Sequence, residues 1–202
     1  MDSYPFKLPP YQHQLDVWQR SKDLVEFGLF MDMGTGKSKV LIDTAAWLYD
    51  HDKIKGLVVI SPKGVYRTWV TDEIPKHMPD HIDYELCYWT SYTTKEILVK
   101  RSRFMRINTN LKIWVVNIEA LRSINAFTTT KEFLQQFPSL MTVDESTTIK
   151  HQKAIQTKNV INLGRYAKYR RILSGAPVTR VPMDLFSQCW FLNKNLLGFR
   201  SE

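Results

Sequence analysis

Cysteine is nearly absent. Cys87 and Cys189 are the only two in 202 residues, too few and too far apart for a disulfide framework or a cysteine metal motif, so both read as buried reduced thiols without a function. No apolar run approaches the length of a membrane span, which excludes a helical membrane protein on sequence grounds. The first residues, MDSYPFKLPP, lack the basic start and apolar stretch of a secretory signal, and a cytosolic setting is expected. There is no internal repeat, no low-complexity tract and no Gly/Ser linker, so residues 1–202 read as one domain. Acidic residues are outnumbered, 20 against 28 Lys and Arg, and the formal charge of +8 suits a polyanionic partner without naming one.

What the chain does contain is an alternation. The short apolar runs FGLFMD, GLVVISP, YELCYW, KIWVVN, LMTVDE and RRILSG read as strands. Between them KSKVLIDTAAWLYD, VYRTWVTDEIPKH, TKEILVKRS, TKEFLQQF and HQKAIQTKNVINLG read as helices or helical turns. Such β-then-α repetition predicts an α/β fold in which helices cover a parallel sheet.

MDMGTGKS, residues 31–38, has the makings of a phosphate loop because a predicted strand precedes it and a predicted helix follows. Gly34 and Gly36 let the backbone turn its amides toward phosphate oxygens, Lys37 can reach the outer phosphates, and the Ser38 hydroxyl can coordinate Mg²⁺. Met31 stands where the strict G-x-x-x-x-G-K-[ST] pattern has glycine, so a second element is needed. LMTVDEST, residues 140–147, supplies it: an apolar strand ending in two carboxylates. Asp144 suits Mg²⁺, and Glu145 suits the orientation and deprotonation of an attacking water.

With these motifs in order, the chain resembles the first RecA-like lobe of a superfamily 2 helicase or translocase, similar to the Swi/Snf-type ATPases and their phage relatives. LPPYQHQLDVW resembles the family's Q-motif, with Gln12 as the implied adenine-reading residue and Pro9 where arginine is usual. MDMGTGKS resembles motif I, whose superfamily 2 form does not require the first glycine; Met33, Gly34, Thr35, Gly36, Lys37 and Ser38 are the implied nucleotide-binding residues. VVISPKGVYRTWVTDEI resembles motif Ia, with Trp69 and Glu73 in the family's tryptophan and acidic positions, and Ser61, Lys63 and Gly64 are implied to lie along a nucleic-acid backbone. WVVNIEALRS resembles the V-x-N-Y-E-A-L segment, with Ile118 for tyrosine. DESTTIKH resembles motif II, D-E-A-H-x-I-K-N, in which Thr147 replaces a histidine that links the nucleotide site to motif III. LSGAPVTRVPMDLFSQCWFLNKNLLG resembles motif III and its sequel: Ser174, Gly175, Pro177, Asp184, Leu185, Phe191 and Leu192 fit, while Ala176 and Arg180 depart.

The resemblance implies a P-loop domain built as a three-layer sandwich, with ATP and Mg²⁺ as cofactors. Lys37, Asp144 and Glu145 are the implied catalytic set, Ser38 and Asp144 the Mg²⁺ ligands, and Ser174 and Gly175 the coupling residues. The implied partners are DNA, double-stranded favoured, and a second RecA-like lobe for which no sequence remains after FLNKNLLGFRSE. A bacterial or phage-infected cytoplasm follows from the phage-like features, and RNA remodelling fits motif II less well. The alternative is a nucleotide- or DNA-binding module that does not turn over ATP and acts through a partner.

Three further features have ordinary readings. His77 and His81 have zinc-site spacing, but Pro79 interrupts any helix that would carry both. The six tryptophans read mostly as core. KRSRFMR, residues 100–106, suits either DNA contact or a solvated helix end, and Arg165, Arg170 and Arg171 read as a solvated basic cluster or a surface meeting DNA or a partner.

Overall fold

The computed structural model describes residues 4–92 and 94–198. Six strands, β1 (Glu26–Phe30), β2 (Gly56–Ser61), β3 (Tyr84–Tyr88), β4 (Leu111–Asn117), β5 (Ser139–Val143) and β6 (Tyr169–Ser174), form one sheet in the order β1-β6-β5-β2-β4-β3, with every pairing parallel. All six lie within a residue or two of the predicted apolar runs.

Burial on both faces explains why these strands read as continuous apolar runs. Successive residues point to opposite faces: Leu57 and Val59 of β2 join one core, and Val58 and Ile60 join the other. The first core is closed by α1 (Gln12–Ser21), α2 (Lys37–Asp50) and a short helical rod at 66–77. The second is closed by α5 (Lys95–Phe104), α6 (Ile124–Gln136), α7 (Ile155–Gly164) and α8 (Phe186–Leu192). The result is the three-layer RecA-like sandwich. Among the described residues no helix is long and apolar enough to cross a membrane.

The rod at 66–77, read from the sequence as a helix or helical turns, is not one uniform helix. It consists of α3 (Tyr66–Thr68), a π segment (Trp69–Glu73) and α4 (Ile74–His77). Pro75 has no N–H to donate, and its ring crowds the carbonyl four residues earlier in a regular helix. The chain widens instead, and the Ile74 amide reaches back five residues to the Trp69 carbonyl.

The structure also corrects the basic cluster. Of its three arginines only Arg165 is exposed. Arg170 and Arg171 belong to β6; Arg171 is almost fully buried, and Arg170 pairs with Glu26 at 2.5 Å and donates to the Leu192 carbonyl at 2.6 Å. Phe104 of KRSRFMR is core, stacked on Phe133 and Trp114 with ring centroids 5.8 and 6.1 Å away, so it offers no platform for a base. His77 faces Glu73 at 3.8 Å while His81 pairs with Asp50 at 3.0 Å. Burial, aided by the charges of Lys39 and Lys76, lowers His77 to about 4, so it is neutral at physiological pH.

Candidate nucleotide-binding site

A parallel sheet binds ligands beyond the carboxyl ends of its strands, and the predicted motifs converge on that edge. Parallel register places Phe30, the last residue of β1, beside Ser174, the last of β6, while Val143 of β5 stands beside Ile60 of β2. The loops after β1, β2, β5 and β6 therefore open onto one crevice.

Gly34 and Gly36 in the loop after β1 have φ of 75° and 87°, a left-handed conformation that few side chains tolerate. Gly36 is the N-cap of the 14-residue α2, so the unpaired amides and the positive end of that helix begin at the loop. Lys37 Nζ donates to the carbonyls of Met31 and Asp32, each at 3.0 Å, and Thr35 Oγ1 donates to the Asp32 carbonyl at 2.7 Å. The loop is thus held in shape by its own side chains. Met33 stands out from it, 83% exposed. Gly175 packs behind it: a Cβ there would lie 3.2 Å from Met33 Cγ and 3.6 Å from the Met31 carbonyl oxygen.

Sequence reasoning missed Gln14. Gln12, the expected adenine reader, is exposed and donates to Asp16 at 2.7 Å. Two residues on, Gln14 is buried; its Nε2 donates to the Thr35 carbonyl at 2.9 Å and its Oε1 accepts from the Tyr11 amide at 3.0 Å. His13 Nε2 lies 3.1 Å from the same Thr35 carbonyl. The Q-motif backbone and the phosphate loop are therefore joined through a side chain that only the three-dimensional proximity of α1 identifies.

Asp144 follows β5 and is heavily oriented. Its Oδ2 accepts from Trp69 Nε1 at 2.8 Å and from Ser61 Oγ at 3.1 Å, and its Oδ1 accepts from the Glu145 amide at 3.0 Å. Ser61 thereby departs from its expected place on the nucleic-acid surface: as the last residue of β2 it is fully buried, with its hydroxyl directed at Asp144. Lys63 and Gly64 are exposed, and the Lys63 amide donates to Glu119 at 3.1 Å, tying the loop after β2 to the 3₁₀ turn Ile118–Arg122 after β4. Glu145 has φ 47° and ψ 61°, a conformation costing a non-glycine residue about 1–2 kcal/mol.

Glu73 connects the two halves of the site. Its carboxyl lies within reach of the Ser38 side chain and within the field of Asp144. Burial first, then the charges of Asp144 and Asp72, push its carboxyl up, while Ser38 and Lys76 pull it back. Ser38 and Asp144 are hard oxygen donors, a set suited to Mg²⁺. The open space around Gly34, where an added Cβ would meet nothing within 4 Å, leaves a cradle for phosphate.

The substitution of Thr147 for histidine does not leave motif II unconnected to motif III. Gln188 of α8, fully buried, accepts from Ser146 Oγ at 2.5 Å and donates to the carbonyls of Pro177 and Asp184, each at 2.7 Å. Lys150 Nζ donates to Thr179 Oγ1 at 2.8 Å. Asp184 orders the same loop: its Oδ2 accepts from Thr179 Oγ1 at 2.7 Å and from the Thr179 and Arg180 amides, which holds its carboxyl well below the usual range. Gln188→Leu is expected to destabilise the fold by about 2–4 kcal/mol, because three polar groups, two of them on buried residues, lose their partner at once. Equilibrium unfolding in urea measures it; a loss under about 1 kcal/mol would mean that water replaces the amide.

Comparison with known proteins agrees with this geometry. A family model described as the SNF2-related domain matches residues 11–202. A search of curated proteins found no match. The Sulfolobus solfataricus SWI2/SNF2 ATPase core in complex with dsDNA superposes with a TM-score of 0.75 at 22% identity, covering 98% of this chain and 39% of that one. The S. solfataricus SWI2/SNF2 ATPase core domain gives 0.71 at 24% identity, covering 98% and 38%. The UvsW helicase from bacteriophage T4 gives 0.61 at 15% identity, covering 92% and 58%. The chain thus spans about two-fifths of the length of the S. solfataricus structures. A glycine-turned loop at the head of α2, a carboxylate pair beyond β5 and a family match over nearly the whole chain place this protein in the SNF2-related domain family.

Proposed function

We propose that this chain is the ATP-binding motor lobe of a DNA translocase or helicase, in which ATP hydrolysis drives movement on DNA. The observation that carries the reading is that Lys37 and Ser38, at the head of α2, and the oriented Asp144 with its neighbour Glu145, beyond β5, lie at the same carboxyl edge of the sheet. Lys37 exchanges its two backbone carbonyls for the outer phosphates, a charge-assisted replacement of neutral hydrogen bonds. Ser38 and Asp144 would hold Mg²⁺, which supplies neutralisation of phosphate charge. Glu145 orients the attacking water and takes its proton. Met33, Gly34, Thr35 and Gly36 wrap the phosphates, Gln12 swings from Asp16 to the adenine, and Lys63 and Gly64 meet the nucleic-acid backbone. Ser174 and Gly175, against the phosphate loop, transmit its state to the DNA side.

The DNA part of the reading is supported by the double-stranded DNA in the S. solfataricus complex and by the net charge of +8. A second RecA-like lobe is the expected partner, since this chain covers under half of that structure. Binding of ATP with Mg²⁺ to the parent and to Lys37→Ala tests the site: the substitution is expected to weaken affinity about 100-fold by removing charged contacts to phosphate. A parent that binds no ATP would sink the proposal. Multiple turnover stimulated by double-stranded DNA separates a motor from a module that only binds.

A further inference from the structure

The π segment Trp69–Glu73 begins and ends with residues that approach the candidate metal ligands. Trp69 is 1% exposed, and a buried indole N–H needs an acceptor. Its partner is Asp144 Oδ2, not a backbone carbonyl. Four residues on, Glu73 lies within reach of the Ser38 side chain, which pulls its carboxyl down. Neither contact contributes to the helix that bears it. Both end on residues whose oxygens suit a magnesium ion.

We propose that Trp69 and Glu73 are positioning residues for the two magnesium ligands, Asp144 and Ser38, so that the affinity of this site for Mg²⁺-nucleotide is set from the rod at 66–77. The inference rests on the nucleotide-site reading above. Its chemistry is that of an outer shell, where partners of the ligands fix their orientation and tune their basicity. A serine that ligates a cation through its oxygen keeps its proton, and that proton needs an acceptor; Glu73 is in place to be it. Asp144 has two side-chain donors, Trp69 and Ser61, on Oδ2, whereas Oδ1 carries the Glu145 amide bond and retains lone-pair capacity. The donors therefore fix the carboxylate plane and leave one oxygen able to take a further ligand. The π widening that Pro75 imposes sits between the two contacts, where such interruptions of helical geometry often serve a site.

The test is binding of N-methylanthraniloyl-ADP to the 202-residue chain, in Mg²⁺ and in EDTA, by the parent, Trp69→Phe, Glu73→Ala and Glu73→Gln. The readout is the gain in affinity that Mg²⁺ confers. Trp69→Phe and Glu73→Ala are each expected to cut that gain about 10-fold or more while affinity in EDTA stays within about twofold of the parent. Glu73→Gln keeps an acceptor for the Ser38 proton and is expected to retain most of the gain. An equal loss in Mg²⁺ and in EDTA, or a gain that survives both Trp69→Phe and Glu73→Ala, would overturn the inference while leaving the nucleotide site standing. Glu73 is only half-buried, so its variants remain informative where Trp69→Phe fails to fold. A parent that binds no nucleotide in either buffer overturns the site reading, and this inference with it.

Discussion

Arg171→Ala is expected to destabilise this protein by about 3–5 kcal/mol, the cost of leaving buried polar groups without their charged partner. At about 2–4 °C per kcal/mol for a domain of this size, the thermal midpoint should fall by about 10 °C. The guanidinium is enclosed by carbonyls: Nη1 donates to Val25 at 3.1 Å and to Arg170 at 2.8 Å, and Nη2 donates to Ser21 and Leu24, each at 2.7 Å. Ser21 ends α1, where helix carbonyls lack intrahelical donors, and Leu24 and Val25 lead into β1. One side chain thus fastens the end of α1 to the sheet at the β1–β6 pair. Burial lowers its pKa to about 10, which leaves it charged at neutral pH. Lysine cannot substitute, since a single ammonium with three donors does not reproduce the planar fork, and Arg171→Lys is expected to recover less than half of the loss. Because α1 also carries Gln14, nucleotide binding should weaken alongside stability. Calorimetry and nucleotide titration of the same two variants decide it; an unchanged midpoint for Arg171→Ala would show that water reaches the four carbonyls.

The arginine illustrates what linear sequence conceals. RRILSG carried a strand signal and a charge signal, and reading the charges as surface required the strand to be exposed at its start. In fact β6 lies between β1 and β5, where Arg171 finds carbonyls from a segment about 150 positions away in sequence, a pairing that no local pattern encodes. The strands themselves were legible because both faces of the sheet are covered, so every strand position favours an apolar residue. The phosphate loop and the Asp144–Glu145 pair were legible for a different reason: phosphate and metal chemistry fix residue types at short spacing. Ser61 and Gln14 were not. The motif around Ser61 identifies the loop, but a strand's alternation decides which residues of it face inward, and the last residue of β2 faces Asp144. Gln14 sits one turn into α1 beside a glutamine with a better motif match, and only the approach of α1 to the phosphate loop separates their roles. The π segment depends on Pro75, visible in sequence as a helix fault but not as the means of setting Trp69 and Glu73 on the site.

Gly36→Ala should abolish measurable nucleotide binding at concentrations that saturate the parent, with a stability cost of about 1–3 kcal/mol. Two independent strains meet at this position. At φ 87° an L-residue pays for its Cβ against the following carbonyl, roughly 1–2 kcal/mol. The Cβ would also lie 2.3 Å from Gln14 Nε2, closer than any stable contact. Relief requires either that Gln14 withdraw, which severs the link from the Tyr11 amide to the Thr35 carbonyl, or that Gly36 rotate toward the helical region, which turns the amides that open α2 away from the cradle. Both routes damage phosphate binding, because that binding depends on several backbone N–H groups aimed at one point and not on any single strong contact. The two routes are separable. If Gln14 withdraws, pairing Gly36→Ala with Gln14→Ala removes the clash and should restore part of the affinity, leaving only the backbone strain. If the glycine's left-handed conformation is the controlling requirement, the double variant stays as inactive as the single one. Isothermal titration of nucleotide into the parent and both variants distinguishes the two, and wild-type affinity in Gly36→Ala would show that this loop conformation is not the one that holds phosphate.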